Sequence, residues 1–582
     1  MTAITTGADN MLELLRASPK GRLQMYQLAK KIGTNEGRIE RWAALLKEYM
    51  TIEYPSNVLS RPYLRLIGTF QQPAAQEVQQ GDIVSTYSIS ADNVSAEVNI
   101  ISVENEQVPA YIIKLPEIGP ATKILLAALS DELTKKVPIT LEEISDQRRM
   151  TSLRETFSKE AQRLVEKEFG SDLKNDQASL NCLSGTLLHN CFGLGELEIL
   201  INDDYLEEIC INSSHTPISA YHIKHGWVKT NMAMPTERDI YNLSSQIARK
   251  AGTNITNLEP LMDAYLLSGD RANATLFPVS TDGNTITIRK FARVPWTLIS
   301  LLKKDVNTIS LDMAALLWLC MQYELNILVT GGTASGKTSM LNAICSLIPA
   351  NQRIISIEGT RELNLPKYLH WNWIPMTTRN KNSEGKGEIT VLDLIINSLR
   401  MRPDRVVMGE VRKKDEAEVL FEAMHTGHSV YSTIHADTSR HLVRRMTKPP
   451  FELPAEDIEA IDLIVVQFRD RRRGVRRTLE IAEVLQGEGN TIELNYLYRW
   501  DARSDSFERI NDSKRLFEKL NLYTGMTNDE IKKDLKEKRD VLEWMRDNLI
   551  EDVNATGDIV GQYYKDKSKV LEKIKKGKRS AA

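Results

Sequence analysis

Residues 331–338 read Gly-Gly-Thr-Ala-Ser-Gly-Lys-Thr, which satisfies G-x-x-x-x-G-K-[ST] and constrains the fold more than any other stretch. The apolar run "NILV" precedes it, and Met340, Leu341, Ile344, Leu347 and Ile348 after it form one stripe of a helix. A strand, a Gly-rich turn and a helix in that order let backbone N–H groups and a helix N-terminus close around a phosphate. Gly331, Gly332, Thr333, Ala334, Ser335 and Gly336 are the expected cradle, with Lys337, Thr338 and Ser339 opening the helix behind it. Lys337 is expected to reach the β and γ oxygens, and the Thr338 hydroxyl to ligate Mg²⁺. ATP with Mg²⁺ is the ligand this pattern implies.

Around the motif, "NILV", "RIISIE", "RVVMGE", "SVYSTI" and "LIVVQF" alternate with helical segments, the order of βαβ crossovers in a largely parallel sheet covered on both faces. At 582 residues the chain exceeds one hydrophobic core and is expected to divide into about three or four domains. The 75 Lys and Arg nearly balance 78 Asp and Glu, so composition marks neither a nucleic-acid binder nor a membrane-surface protein. The five cysteines are scattered, with no CxxC pair, which argues against a disulfide framework or a zinc ribbon and fits a reducing cytoplasm. The first residues, "MTAITTGADNMLELL", show no basic n-region followed by a long apolar stretch, and the best apolar run, "MAALLWLCM" at 313–321, is far short of the ~20 residues that span a bilayer, so the chain is expected to be neither secreted nor membrane-spanning.

Before the half that carries the Gly-rich motif, residues 1–70 follow the order of a winged helix-turn-helix. Residues 71–82 are Gln-rich and aperiodic and read as a linker, 83–175 as an α+β adaptor, and 176–300 as a further α+β unit. An ATPase domain is expected over 301–507, and a helical region with a basic tail over 508–582.

Hydrolysis needs more than a phosphate cradle, and an open α/β sheet presents its ligands at strand C-termini. Two carboxylates stand at such ends: Glu358, with Glu362 beyond it, and Glu410, with Arg412 two residues on. One glutamate near the γ-phosphate would orient or deprotonate water, and another would steady the metal's water shell, for which Glu410 joins Thr338 as a candidate metal residue.

Taken together, these motifs resemble the secretion ATPase superfamily, which comprises type II secretion, type IV pilus and archaellum motors and conjugation-type ATPases. "LRMRPDRVVMGEVR" and "AMHTGHSVYSTIHAD" look like its Walker B region and His box, while "GLGELEILINDDYLEEICI", "TITIRKF" and "PPFELP" look like its archaeal branch. The resemblance implies a RecA-like P-loop motor domain, a PAS-like domain over 176–300 that closes on the nucleotide, and a hexameric ring. It carries His428 and His435 over as coupling residues and Arg271, Arg289, Arg400 and Arg402 as charge-neutralising arginines, with Arg271 foremost. Two departures stand out. The family's Glu-Asp pair is Glu358-Gly359 here, so the role of the missing Asp falls to Glu362 or is lost, and after "GEVR" the chain reads "KKDEAEVLF", without the glycine that commonly follows and one residue longer. Gly409, where other P-loop proteins often carry Asp, leaves Glu410 as the acid of the Walker B region, as the resemblance implies. Metal binding by His425, His428 and His435 is the competing idea, without cysteines or tetrahedral spacing to support it.

The resemblance also implies a cytoplasmic location on the inner face of the membrane and a polytopic platform protein as partner, with pilin-like or archaellin substrates driven indirectly. A conjugation-type motor for DNA or protein export is the alternative. A DNA-binding adaptor is a second alternative, but the third helix of the N-terminal module mixes Arg38, Arg41 and Lys47 with Glu36, Glu40 and Glu48, which argues against nucleic acid. "FRDRRRGVRRTLEI" at 468–481 reads as a plain hairpin turning at Gly474.

Overall fold

A computed structural model describes residues 3–54, 61–68, 81–104, 106–137, 147–173, 176–266, 269–290, 295–379, 381, 385–489 and 491–581. All but two residues of the expected linker at 71–82 lie outside them. The chain forms two compact units, Met1–Phe291 and Ala292–Ala582.

In the first unit, helices Gly7–Arg16, Met25–Ile32 and Glu36–Leu45 combine with a three-stranded sheet ordered Arg22–Gln24, Tyr63–Leu66, Met50–Glu53. The helix ends are written locally: Thr6 and Asp9 form a capping box, Asn35 caps the third helix, and Gly33 closes the second with φ +79°. In a DNA reader that third helix would face the major groove. Here Arg38 binds Asp172 at 2.8 Å and the Glu168 carbonyl, Trp42 Nε1 donates to Glu168 at 2.9 Å, and Arg41 reaches Glu168 at 3.3 Å. The arginines of this helix are thus spent on helix Gln147–Phe169 and the turn after it.

Segments read separately as 83–175 and 176–300 share one nine-stranded sheet. Its order is 261–265, 271–275, 285–289, 206–211, 217–222, 226–233, 110–114, 94–102, 82–91. A parallel pairing, Ala110 with Lys229 and Tyr111 with Thr230, joins the two halves, and the other ladders are antiparallel. A continuous apolar core runs from Ile4 to Ile288.

The second unit is the expected α/β fold. Its strands are β1 (Ile327–Gly331), β2 (Ile354–Glu358), β3 (Trp373–Thr377), β4 (Arg405–Met408), β5 (Ser429–Ile434), β6 (Leu463–Asp470), β7 (Val475–Gln486), β8 (Ile492–Asp501) and β9 (Ser506–Arg509). They are ordered 3-2-4-5-1-6-7-8-9, parallel from β3 through β6 and antiparallel beyond. Period-two alternation divides the strand side chains between two cores. Ile327, Val329, Ile354, Val407 and Val465 enter one; Leu328, Ile355, Val406, Ile464 and Val466 enter the other. The apolar run at 313–321 lies in helix Leu311–Gln322, buried from Met313 to Met321, as a helix apolar all round must be. Among the described residues no helix is long and apolar enough to cross a membrane. Helices Arg515–Thr524, Asn528–Asp547, Val553–Lys565 and Lys567–Ala581 complete the unit.

Parallel pairing has a geometric consequence for function. It brings the C-terminal ends of β1, β2, β4 and β5, and therefore Gly331, Glu358, Gly409-Glu410 and His435, to one edge of the sheet.

Candidate functional site

The Gly-rich loop leaves β1 at Gly331 and enters helix Lys337–Cys345 at Gly336. Gly331 has φ +149°, and a Cβ there would lie 2.2 Å from the Gln467 carbonyl oxygen, so backbone packs on backbone and no side chain fits. Gly336 sits at the helix N-cap with φ +92°, and no side chain caps the first turn. That leaves the N-terminal amides available to an anion. The stripe from Met340 to Ile348 is buried, which fixes the helix behind the loop. Ser335 Oγ donates to the Gly332 carbonyl at 2.9 Å, Thr333 and Ala334 are exposed at the tip, and Thr338 and Ser339 are half-buried.

Lys337, 8% exposed, folds back on its own loop, donating to the carbonyls of Gly331 (3.1 Å) and Gly332 (2.9 Å) and to His435 Nδ1 (3.1 Å). An ammonium has no acceptor, so Nδ1 must be the unprotonated nitrogen, and the ring proton is assigned to Nε2. His435 Nε2 lies 3.0 Å from Glu410 Oε1, and Glu410 Oε2 accepts from Arg412 at 2.7–2.8 Å. The result is a chain Lys337–His435–Glu410–Arg412. Partial burial and the neighbouring Lys337 charge hold the imidazole below its usual range, against the pull of Glu410.

Glu358 is 3% exposed. Its Oε1 accepts the backbone N–H groups of Glu362 (2.8 Å) and Leu363 (3.0 Å), while Oε2 is buried with no hydrogen-bond partner among the described residues. Burial pushes this carboxyl up to about 7 despite the two amide donors. Gly409 abuts it: a Cβ there would stand 3.4 Å from Glu358 Cγ. An aspartate at 409 would therefore set a second carboxylate beside the buried one.

Glu362 is exposed and meets Glu358 through its backbone N–H. His428 precedes β5 and His435 follows it, so they stand at opposite ends of a six-residue strand, about 20 Å apart. At its end His428 makes contacts to Thr426 Oγ1 (3.1 Å) and the Ala423 carbonyl (3.2 Å), closing its own turn. Arg400 and Arg402 are exposed before the N-terminal end of β4, away from the edge that carries Glu410. Arg271 and Arg289 belong to the first unit, where they are register partners on adjacent strands, and Arg271 binds Asp263 through two bonds (2.8 and 2.5 Å). His425 pairs with Asp457 at 3.3 Å.

Two arginines that the sequence left unremarked touch the site. Arg445 Nη1 donates to the His435 carbonyl at 2.6 Å, and Arg476 Nε donates to the Ala334 carbonyl at 3.2 Å. Arg476 belongs to the stretch at 468–481 read as a plain hairpin. Strand alternation past Gly474 is the signal that could have singled it out.

For magnesium the donor set is suitable: a hydroxyl at Thr338, the first residue after the lysine, and carboxylates at two neighbouring strand ends, one with an orphaned oxygen. Among the described residues no cluster of three His, Cys, Asp or Glu side chains could hold a metal by itself. A site of this kind takes its ion together with a phosphate.

Residues 271–467 match the family described as Type II/IV secretion system protein. An uncharacterized Methanocaldococcus jannaschii protein, MJ0900, is 32% identical over 389 residues, 65% of this chain and 69% of its own length. The putative conjugal transfer protein Rv3659c of Mycobacterium tuberculosis is 29% identical over 338 residues, covering 56% of this chain and 93% of that one. Among solved structures, the Legionella pneumophila ATPase DotB matches at 17% identity and a TM-score of 0.35, over 65% of this chain and 93% of that one.

Proposed function

The chain belongs to the type II/IV secretion system protein family, and from that premise we propose that it hydrolyses ATP with Mg²⁺ and turns the energy into motion. The observation that carries the reading is the convergence at one sheet edge of the Gly331–Gly336 loop, Lys337, His435, Glu410 and a buried Glu358 held near neutral pH. An arriving triphosphate offers Lys337 better acceptors than two loop carbonyls, so the ammonium turns to the β and γ oxygens and releases His435 Nδ1. Glu358 takes the proton from the attacking water on Oε2, while Oε1 stays fixed by the Glu362 and Leu363 amides. A carboxylate near pKa 7 is matched to that task, and such bases contribute about 10²–10⁴-fold. Thr338 and Glu410 would hold Mg²⁺, which when bound supplies charge neutralisation on the phosphates.

His435 answers both to Lys337 and to Glu410, so loss of the terminal phosphate returns Lys337 to His435 and alters the pull on Glu410 and Arg412. That linkage supports a mechanochemical role: a homo-hexameric ring on the inner face of the membrane, acting through a polytopic platform protein to assemble a pilus-like or archaellum filament or to drive type II secretion. A conjugation-type export motor is the second reading, favoured by the likeness to a putative conjugal transfer protein over 93% of its length. The test compares Glu358→Gln and Glu410→Gln with the unmodified chain. Mg-ATP binding retained with hydrolysis lost in Glu358→Gln supports the base; full hydrolysis in both variants rejects both carboxylates.

A further inference from the structure

The hairpin β6–β7 meets the Gly-rich loop at two points. Gly331 pairs in register with Gln467 on β6, and Arg476 on β7 reaches the Ala334 carbonyl at 3.2 Å, with its Cδ 3.7 Å from where a Cβ on Gly336 would stand. The ladder between the strands shifts register after Val466, so that Val466 faces Glu480 but Gln467 faces Thr478. A bulge of this kind re-aims the side chains beyond it. Arg477 accordingly turns inward, where Asp505 (2.7 and 2.8 Å) and the Val306 carbonyl (2.8 Å) hold it, and alternation sends Arg476 to the opposite face, over the loop.

Ala334 has φ +58°. An L-residue keeps that conformation only where its surroundings fix it. Ala334 is at the exposed tip of the loop, and the bond from Arg476 engages its carbonyl there, leaving the loop amides to an anion. We infer that Arg476 is a positioning residue of the nucleotide site: through the Ala334 carbonyl it keeps the loop in the shape that accepts the β and γ phosphates of a nucleoside triphosphate. The inference rests on the reading of this loop as a nucleotide site.

Titration calorimetry of the full chain with Mg²⁺ and the non-hydrolysable analogue AMP-PNP tests it. Loss of one charge-assisted hydrogen bond that shapes the loop should weaken binding about tenfold in Arg476→Ala. Arg476→Met keeps the stem without the donors and should match it, which preserves the test if the alanine variant folds poorly. Arg476→Lys restores a cationic donor and should bind within about threefold of the unmodified chain. Unchanged binding in the Ala and Met variants, or a Lys variant as weak as Ala, overturns the inference alone. A wild-type chain that binds no AMP-PNP overturns the nucleotide reading and this inference with it.

Discussion

Replacing Glu358 by glutamine should stabilise the protein in a pH-dependent way while removing its turnover. The carboxyl is 3% exposed and its acidity is shifted from an ordinary 4.5 to about 7. At 1.36 kcal/mol per pH unit, keeping that group ionised in the fold costs about 3 kcal/mol. Below about pH 4.5 folded and unfolded chains both hold the proton, and the cost vanishes. Between about 4.5 and 7 the unfolded chain binds fewer protons than the folded one, so stability falls as pH rises; above about 7 the loss is constant. Glutamine never ionises, and its amide oxygen can still accept from the Glu362 and Leu363 N–H groups. The variant should therefore melt close to the unmodified chain at pH 4.5 and roughly 6 °C above it at pH 8, at ~2 °C per kcal/mol. Scanning calorimetry of the full chain, followed on the transition that Mg-ATP raises, reads the difference, and any constant cost of the amide cancels between the two pH values. A gap that does not grow with pH would show that Glu358 is not a raised acid, and the assignment of the general base would fall with it. Such a trade of stability for activity is what a buried catalytic carboxylate entails.

Other perturbations follow from the same geometry. The rate of phosphate release should climb between about pH 6 and 8 with an inflection near 7, where Glu358 ionises, and a flat profile there would contradict the base. Gly331→Ala drives a Cβ to 2.2 Å from the Gln467 carbonyl and should abolish nucleotide binding in calorimetry even if the rest of the fold survives. Asp534→Leu strips the fully buried Lys538 of its counter-charge and should cost about 3–5 kcal/mol in denaturant unfolding; Lys538→Met should cost less, because Lys567 still serves Asp534 at 2.8 Å. Arg38→Ala should loosen the N-terminal module, seen as faster proteolysis, at a cost of about 1.5–3 kcal/mol. The unmodified chain should show no salt-steep DNA affinity, since Arg38 and Arg41 are engaged within the fold.

The strand, loop and helix around Lys337 were legible because their signals are local: an apolar run, glycines at the turn and a helical stripe that is buried as read. Glu358 and Glu410 could be found for the same reason, as acids closing apolar strands. The links that give those residues their chemistry are long-range. Lys337 meets His435 across 98 residues and Arg476 meets Ala334 across 142, so no window of sequence contains either pair. Motif membership treated His428 and His435 alike, yet a six-residue parallel strand separates them, and its direction is decided by pairing with β1 and β4. The order of three short helices and a hairpin in the N-terminal module was readable from turns and periodicity, but not that its third helix packs on residues some 130 positions away. Nor could alternation alone reveal that strands 82–114 join strands 206–289 in one sheet, since a short parallel pairing makes that connection.

The central claim, that the loop from Gly331 to Thr338 holds the phosphates of ATP for hydrolysis, is tested most directly by phosphate release from the full chain beside Lys337→Ala. The account predicts Mg²⁺-dependent turnover in the first and none in the second, with both chains folded by circular dichroism. Equal turnover in the two, or none in either when a membrane fraction is supplied, would contradict it.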